Sequence, residues 1–98
     1  MKDKLKTIIN HYGINAQQRQ FAEEVFELQE AIILMENEEY SYITQVDECN
    51  KNDIAEEIAD CMVMLNQFKE YYNITDEQIK INMDYKIDRQ MLRIKRGV

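Results

Sequence analysis

The sequence predicts an all-α fold, an antiparallel helical bundle of about four helices completed by oligomerisation. Three observations predict it. The 98 residues include no proline and two glycines, so the turn chemistry of sandwiches, barrels and Rossmann-type sheets is nearly absent. Hydrophobic residues make up 45% and charged residues 32%, which excludes a disordered chain. Apolar residues recur at spacings of three and four over long stretches. The length suits one domain, residues 1–98, with a core that needs no disulfide staples.

The first helix is expected from Lys4 to Tyr12, with Leu5, Ile8, Ile9 and Tyr12 on one side. Gly13 follows where a left-handed C-cap belongs. The second helix is expected to begin after Asn15, as N-cap, and to run to about Glu38. Its apolar positions are Phe21, Val25, Leu28, Ile32 and Met35. The segment from Glu39 to Asn52 reads as a short helix or an ordered loop, long enough for its flanking helices to run antiparallel. The third helix is expected near Asp53, where Asp53 and Glu56 have capping-box spacing, and its stripe is Ile54, Ile58, Cys61, Leu65, Phe68 and Tyr72. Asn73 is its stop. Thr75 and Gln78 form a second capping box, opening a fourth helix that ends near Lys95. On that helix Ile79, Met83, Ile87 and Ile94 fall on one side, with Ile81, Tyr85 and Leu92 roughly opposite. A helix apolar on two sides wants two partners, its own core and a second subunit; scattered surface apolar residues are the plainer alternative.

Charge and length exclude several functions. The net charge of −7 repels nucleic-acid backbones and anionic membranes, so neither is expected as a partner. No apolar run approaches membrane-spanning length, and the first ten residues lack a signal-peptide core, which gives the expectation of a cytoplasmic protein. Cys49 and Cys61 form no CxxC pair and no zinc spacing; Cys61 reads as a small core residue.

The acidic residues are the main feature left to explain. Glu24 and Glu27 lie three apart on the second helix, Glu57 and Asp60 three apart on the third, so each pair shares a helix face. Measured from Phe21 and Ile54, Glu24 and Glu57 both fall at about 300°, Glu27 and Asp60 both at about 240°. Ala31 and Met64 continue that edge and offer an apolar floor. Two carboxylates about 4 Å apart repel by roughly 4 kcal/mol at an effective dielectric of 20. Four together must splay into water, hold protons or bind a cation. Oxygen ligands without histidine or cysteine favour Mg²⁺, with Mn²⁺ as substitute. A di-iron bundle fits poorly, because the one histidine, His11, lies outside both pairs and reads as a surface or helix-end residue. The competing reading is a solvated acidic face, which Glu30, Glu36, Glu38 and Glu39 are expected to form. Glu23 and Glu56, each preceding an inner pair, read as surface acids, outer-shell groups or water-orienting bases.

Glu23-Glu24-x-x-Glu27-Leu28 in one helix and Glu56-Glu57-x-x-Asp60 in the next resemble the MazG-like all-α nucleoside triphosphate pyrophosphohydrolases. The resemblance covers Gln17 to Asn73, with the fourth helix a looser match. It implies a Mg²⁺-dependent enzyme that cleaves a nucleoside triphosphate to the monophosphate and pyrophosphate. It implies a homodimer or homotetramer in which helices of different subunits share a bundle. By the match, Glu24, Glu27, Glu57 and Asp60 would be the metal ligands. This chain carries Gln20 where many relatives carry a lysine, and the connector between its acidic pairs is long. Phosphoribosyl-ATP pyrophosphohydrolase is a cousin whose lysine-rich entry to the first motif is missing here.

In such a reaction water attacks the α-phosphorus and an acidic group accepts its proton; Glu23 and Glu56 are the candidates. With no P-loop, phosphates would fall to basic side chains. Lys86 and Arg89 lie three apart on the fourth helix and Arg93 one turn beyond; these are candidate phosphate-binding residues, or else complement the helix C-terminus. Phe21, Phe26, Tyr12, Tyr40 and Tyr42 could stack on a base, but helical spacing fits core residues equally. The rival from another class is a catalytically silent helical interaction module.

Overall fold

The computed structural model describes residues 1–37 and 50–97. They form four helices and no strand: α1, Lys2–Tyr12; α2, Ile14–Glu36; α3, Lys51–Tyr71; and α4, Asp76–Arg96. The expected all-α class is what the chain adopts. Most of the connector between α2 and α3, with Glu38, Glu39, Tyr40, Tyr42 and Cys49, lies outside the described residues.

Gly13 joins α1 to α2 and belongs to both boundaries. Its φ of +87° and ψ of 155° suit glycine alone. The cap is therefore extended at positive φ and not the expected left-handed helical one. Its N–H bonds to Ile9 O at 2.8 Å, and its carbonyl accepts from Gln17 N at 3.1 Å. One residue thus closes a helix and opens the next. That sharp junction places Asn15 already inside the first turn of α2, so Asn15 is not the cap.

The start of α3 also differs from expectation. Asn50, not Asp53, is the N-cap: its Oδ1 accepts from the N–H groups of Asn52 and Asp53, at 2.9 and 3.2 Å. Asp53 returns the bond by accepting from the Asn50 N–H at 2.8 Å, which completes a capping box three residues upstream of the expected one. Asn50→Ala should lower stability by about 1 kcal/mol, read as a reduced denaturation midpoint at unchanged slope. The far end behaves as expected. Asn73 adopts φ +54°, Ile74 N bonds to Lys69 O and Asn73 N to Glu70 O, a Schellman closure. Thr75 and Gln78 cap α4 reciprocally, as their spacing predicts.

α3 packs along α2 and, less extensively, along α1. The register of α2 on α3 is antiparallel: Gln17 meets Gln67, Phe21 meets Phe68 edge to face at 5.4 Å, and the Glu24 carbonyl accepts from Cys61 Sγ. The buried residues are Leu5, Ile9, Gln17, Ala31, Cys61, Met64 and Gln67. This seam departs from the expected stripes. Val25, Ile32, Ile58, Leu65 and Tyr72 are exposed, and both helices are turned toward their acidic edges. Small side chains explain the rotation: Ala31 and Cys61 let the backbones approach there. Cys61 and the Ala31/Met64 floor are buried as expected. The Gln17–Gln67 pair was not expected. Gln17 Nε2 donates to Gln67 Oε1 at 2.8 Å, so two buried amides satisfy one another.

α4 contains no buried residue and packs against none of the other described helices. The expectation that one of its apolar sides faces its own core is wrong for the single chain. The α3–α4 corner directs it away: Asn73 is left-handed, and the Lys69 ammonium forms an ion pair with Asp76, holding that carboxyl below its usual range.

Candidate metal centre

Antiparallel register decides the site. Two carboxylates at the same angular offset on each of two antiparallel helices come to one side of the seam when their heights match. Here the heights match. One carboxylate oxygen from each of Glu24, Glu27, Glu57 and Asp60 lies within 4.8 Å of all the others. Glu24 and Glu57 are half-buried in the seam; Glu27 and Asp60 are exposed at its edge.

Two atoms in this cluster lack what burial demands. Glu24 Oε2 and Glu57 Oε2 are removed from solvent with no hydrogen-bond partner among the described residues. The other oxygen of Glu24 is held, accepting from Gln20 Nε2 at 2.8 Å. Burial pushes the Glu57 carboxyl above its usual range, and the charges of Glu27, Asp60 and Glu24 push it further. The metal-free cluster therefore retains a proton more readily than an exposed glutamate would. The same causes raise the Cys61 thiol, burial first and then the four acids, which disfavours the thiolate there.

A pH dependence follows. The folded state binds the Glu57 proton more tightly than the unfolded chain does. Its stabilising contribution is complete below the unfolded value of 4.5 and is lost as pH rises through the raised folded value. Melting temperatures in chelator should fall across that window, and Glu57→Gln should flatten the fall. A melting temperature that rises there would contradict the assignment.

The donor set fits a hard divalent cation. Opposite oxygens around Mg²⁺ stand roughly 4.2 Å apart, close to the spread found here. Four single-oxygen donors would leave two of the six positions around such a cation to water or another oxygen ligand.

The other sequence candidates are not gathered here. Glu23 and Glu56 are exposed and outside the cluster, and Glu56 Oε1 accepts from Asn52 Nδ2 at 3.2 Å. Lys86, Arg89 and Arg93 are exposed along α4, with the Arg89 guanidinium 5.8 Å from the Tyr85 ring centre. The charges that raise the Glu57 carboxyl are the carboxylates of Glu27, Asp60 and Glu24. His11 sits exposed in the last turn of α1 against Tyr12, as expected. Of the acids assigned to the solvated face, Glu36 is exposed and Glu30 is half-buried, a partial correction caused by the same helix rotation. Phe21 packs on Phe68, which makes it a core residue, while Phe26 and Tyr12 are exposed. Among the described residues no helix is long and apolar enough to cross a membrane.

Comparison with known proteins adds no family assignment: no family model, curated protein or solved structure matches the chain significantly.

Proposed function

We propose that this protein is a Mg²⁺-dependent nucleoside triphosphate pyrophosphohydrolase of the MazG-like type, acting in the cytoplasm as a homo-oligomer on the nucleotide pool. The observation that carries the reading is the convergence of Glu24, Glu27, Glu57 and Asp60 within 4.8 Å, with two of their oxygens buried and unpartnered. Their motif spacing is that of the family the sequence resembles. Glu24, Glu27, Glu57 and Asp60 hold the metal, with Mn²⁺ as substitute for Mg²⁺. When bound, the cation would offset much of the charge of the four acids and offer a polyphosphate an oxygen-binding position of its own, and it would lower the pKa of bound water.

The chain's own residues do the rest. Gln20 holds one oxygen of the Glu24 carboxylate, and the other is buried with no hydrogen-bond partner among the described residues. Ala31 and Met64, both buried, lie one turn beyond the acids on their own helices and so flank the cluster at its two ends. Water oxygen joins the α-phosphorus, the bond to the bridging oxygen breaks, and pyrophosphate leaves. The proton passes to a carboxylate; Glu23 and Glu56, exposed next to the cluster residues in sequence though outside the cluster, are the candidates. Lys86, Arg89 and Arg93 neutralise the phosphates, and because α4 stands off from its own cluster they do so from another subunit.

The test is pyrophosphate release from a panel of ordinary and modified nucleoside triphosphates, with Mg²⁺, Mn²⁺ or chelator. Metal-dependent release from at least one of them supports the enzyme. No metal-dependent turnover on any assigns the fold to a silent interaction module.

A further inference from the structure

Two glutamines lie buried in the seam between α2 and α3, where apolar side chains would need no partner. Gln17 is 7% exposed and Gln67 2%, and Gln17 Nε2 donates to Gln67 Oε1 at 2.8 Å. Gln67 Nε2 in turn donates weakly to Met64 Sδ at 3.6 Å, which fixes the way that amide faces. A leucine at either place would bury more apolar surface. What an amide adds is direction.

The place of the pair along the seam gives that direction a use. Seven residues forward from Gln17 is Glu24, and seven back from Gln67 is Asp60. Three more in each sense reach Glu27 and Glu57. Seven residues are close to two turns, so each glutamine shares a face with the acids of its own helix. On antiparallel helices, equal steps away from one contact lead to the next. The Gln17–Gln67 bond therefore sets Glu24 across from Asp60 and Glu27 across from Glu57. The field at the site agrees, because after burial Glu27 is the largest cause of the raised Glu57 carboxyl.

That register is under load. Four carboxylates with oxygens within 4.8 Å of one another repel, and turning α2 and α3 would part them. The sequence offers a rival seam: Val25 and Ile32 on α2, with Ile58 and Leu65 on α3, are exposed beside the one in use. Apolar contact has no direction and does not choose between the two. Ala31 and Cys61 permit the observed approach but do not forbid the other. The amides do choose. Gln17 lies about 40° from Phe21 around α2, whereas Gln67 lies about 140° from Ile54 around α3. Turning to the rival seam would swing Gln67 out and leave Gln17 inside without its partner, at the full cost of a buried unpaired amide.

We propose that the buried Gln17–Gln67 pair is the register lock of the metal centre, keeping its four acids gathered before a cation arrives. The proposal rests on the metal reading of those acids. It makes Gln17 and Gln67 positioning residues, which touch neither metal nor substrate.

Gln17→Leu/Gln67→Leu removes both amides and leaves no orphan. In chelator the double variant should melt at or above the wild type, because its acids are free to part. Its Mg²⁺ dissociation constant, read by titration calorimetry, should rise about 10–100-fold, the loss typical of outer partners of a metal site. Nuclear magnetic resonance reads the register itself. In wild-type protein with chelator, the Gln17 side-chain amide protons should exchange slowly with water. The Met64 methyl, 4% exposed in the wild type, should open to a soluble paramagnetic probe in the metal-free double variant and be shielded again by Mg²⁺. Wild-type Mg²⁺ affinity in the double variant overturns the proposal. So does a double variant that melts well below the wild type, since the pair would then serve stability, and so does fast exchange of Gln17 in metal-free wild type. If the wild type binds no Mg²⁺, the metal reading fails by itself, and the two measurements in chelator still decide whether the pair sets the register.

Discussion

Glu57→Gln should abolish metal-dependent stabilisation and lower pyrophosphate release about 100-fold or more, while the metal-free variant melts higher than the wild type. The three effects have one cause. Glu57 is the most penalised acid of the cluster, raised by burial and by Glu27, Asp60 and Glu24. A neutral amide removes that repulsion, so the metal-free fold gains. The same change deletes a ligand, so the cation loses affinity; even outer partners of a metal site cost 10–100-fold when removed. For the wild type, a cation at 100 times its dissociation constant should add about 2.7 kcal/mol, roughly 10–20 °C for a domain of this size. Differential scanning fluorimetry with Mg²⁺, Mn²⁺ and chelator reads both effects. If the variant melts lower without metal and keeps the Mg²⁺ shift, the cluster is not the metal centre.

Ile9→Ala should be the most damaging single core truncation. Ile9 is 2% exposed, on the helix that braces α3, and only seven residues among those described are buried in the single chain. Losing it costs about 2–5 kcal/mol in transfer and cavity terms. That is a large share of the 5–15 kcal/mol or so that small domains possess. Urea denaturation should show the midpoint falling at an unchanged slope. A loss below about 1 kcal/mol would mean that α1 does not brace the pair, since even a partly collapsed Ile site costs more.

Helix content was legible in the residues because it is local. Absence of proline, apolar spacing and the Thr75/Gln78 cap each act within a few residues, and each held. Boundaries were less legible where two caps compete. Asn50 and Asp53 both offer a side chain, and Asn50 holds the N-cap while Asp53 serves as its N3 partner. The acidic site was legible because its four residues sit at equal offsets on two helices, a relation that helix periodicity alone exposes. The Gln17–Gln67 pair was not, because a glutamine carries no sign in its own helix that another waits opposite.

Sequence alone determined that this chain is helical, that its acids fall in two matched pairs and that its last helix is apolar on two sides, since these follow from angles along a single helix. Tertiary structure alone decided how far each helix turns. It moved the seam from the branched aliphatics to Ala31, Cys61 and Met64, brought four carboxylates within reach of one cation, and left α4 without a partner among the other described helices. The physical reason is that rotation about a helix axis is settled by close approach between backbones, where small residues outweigh hydrophobic ones, and no local pattern records which neighbour will approach.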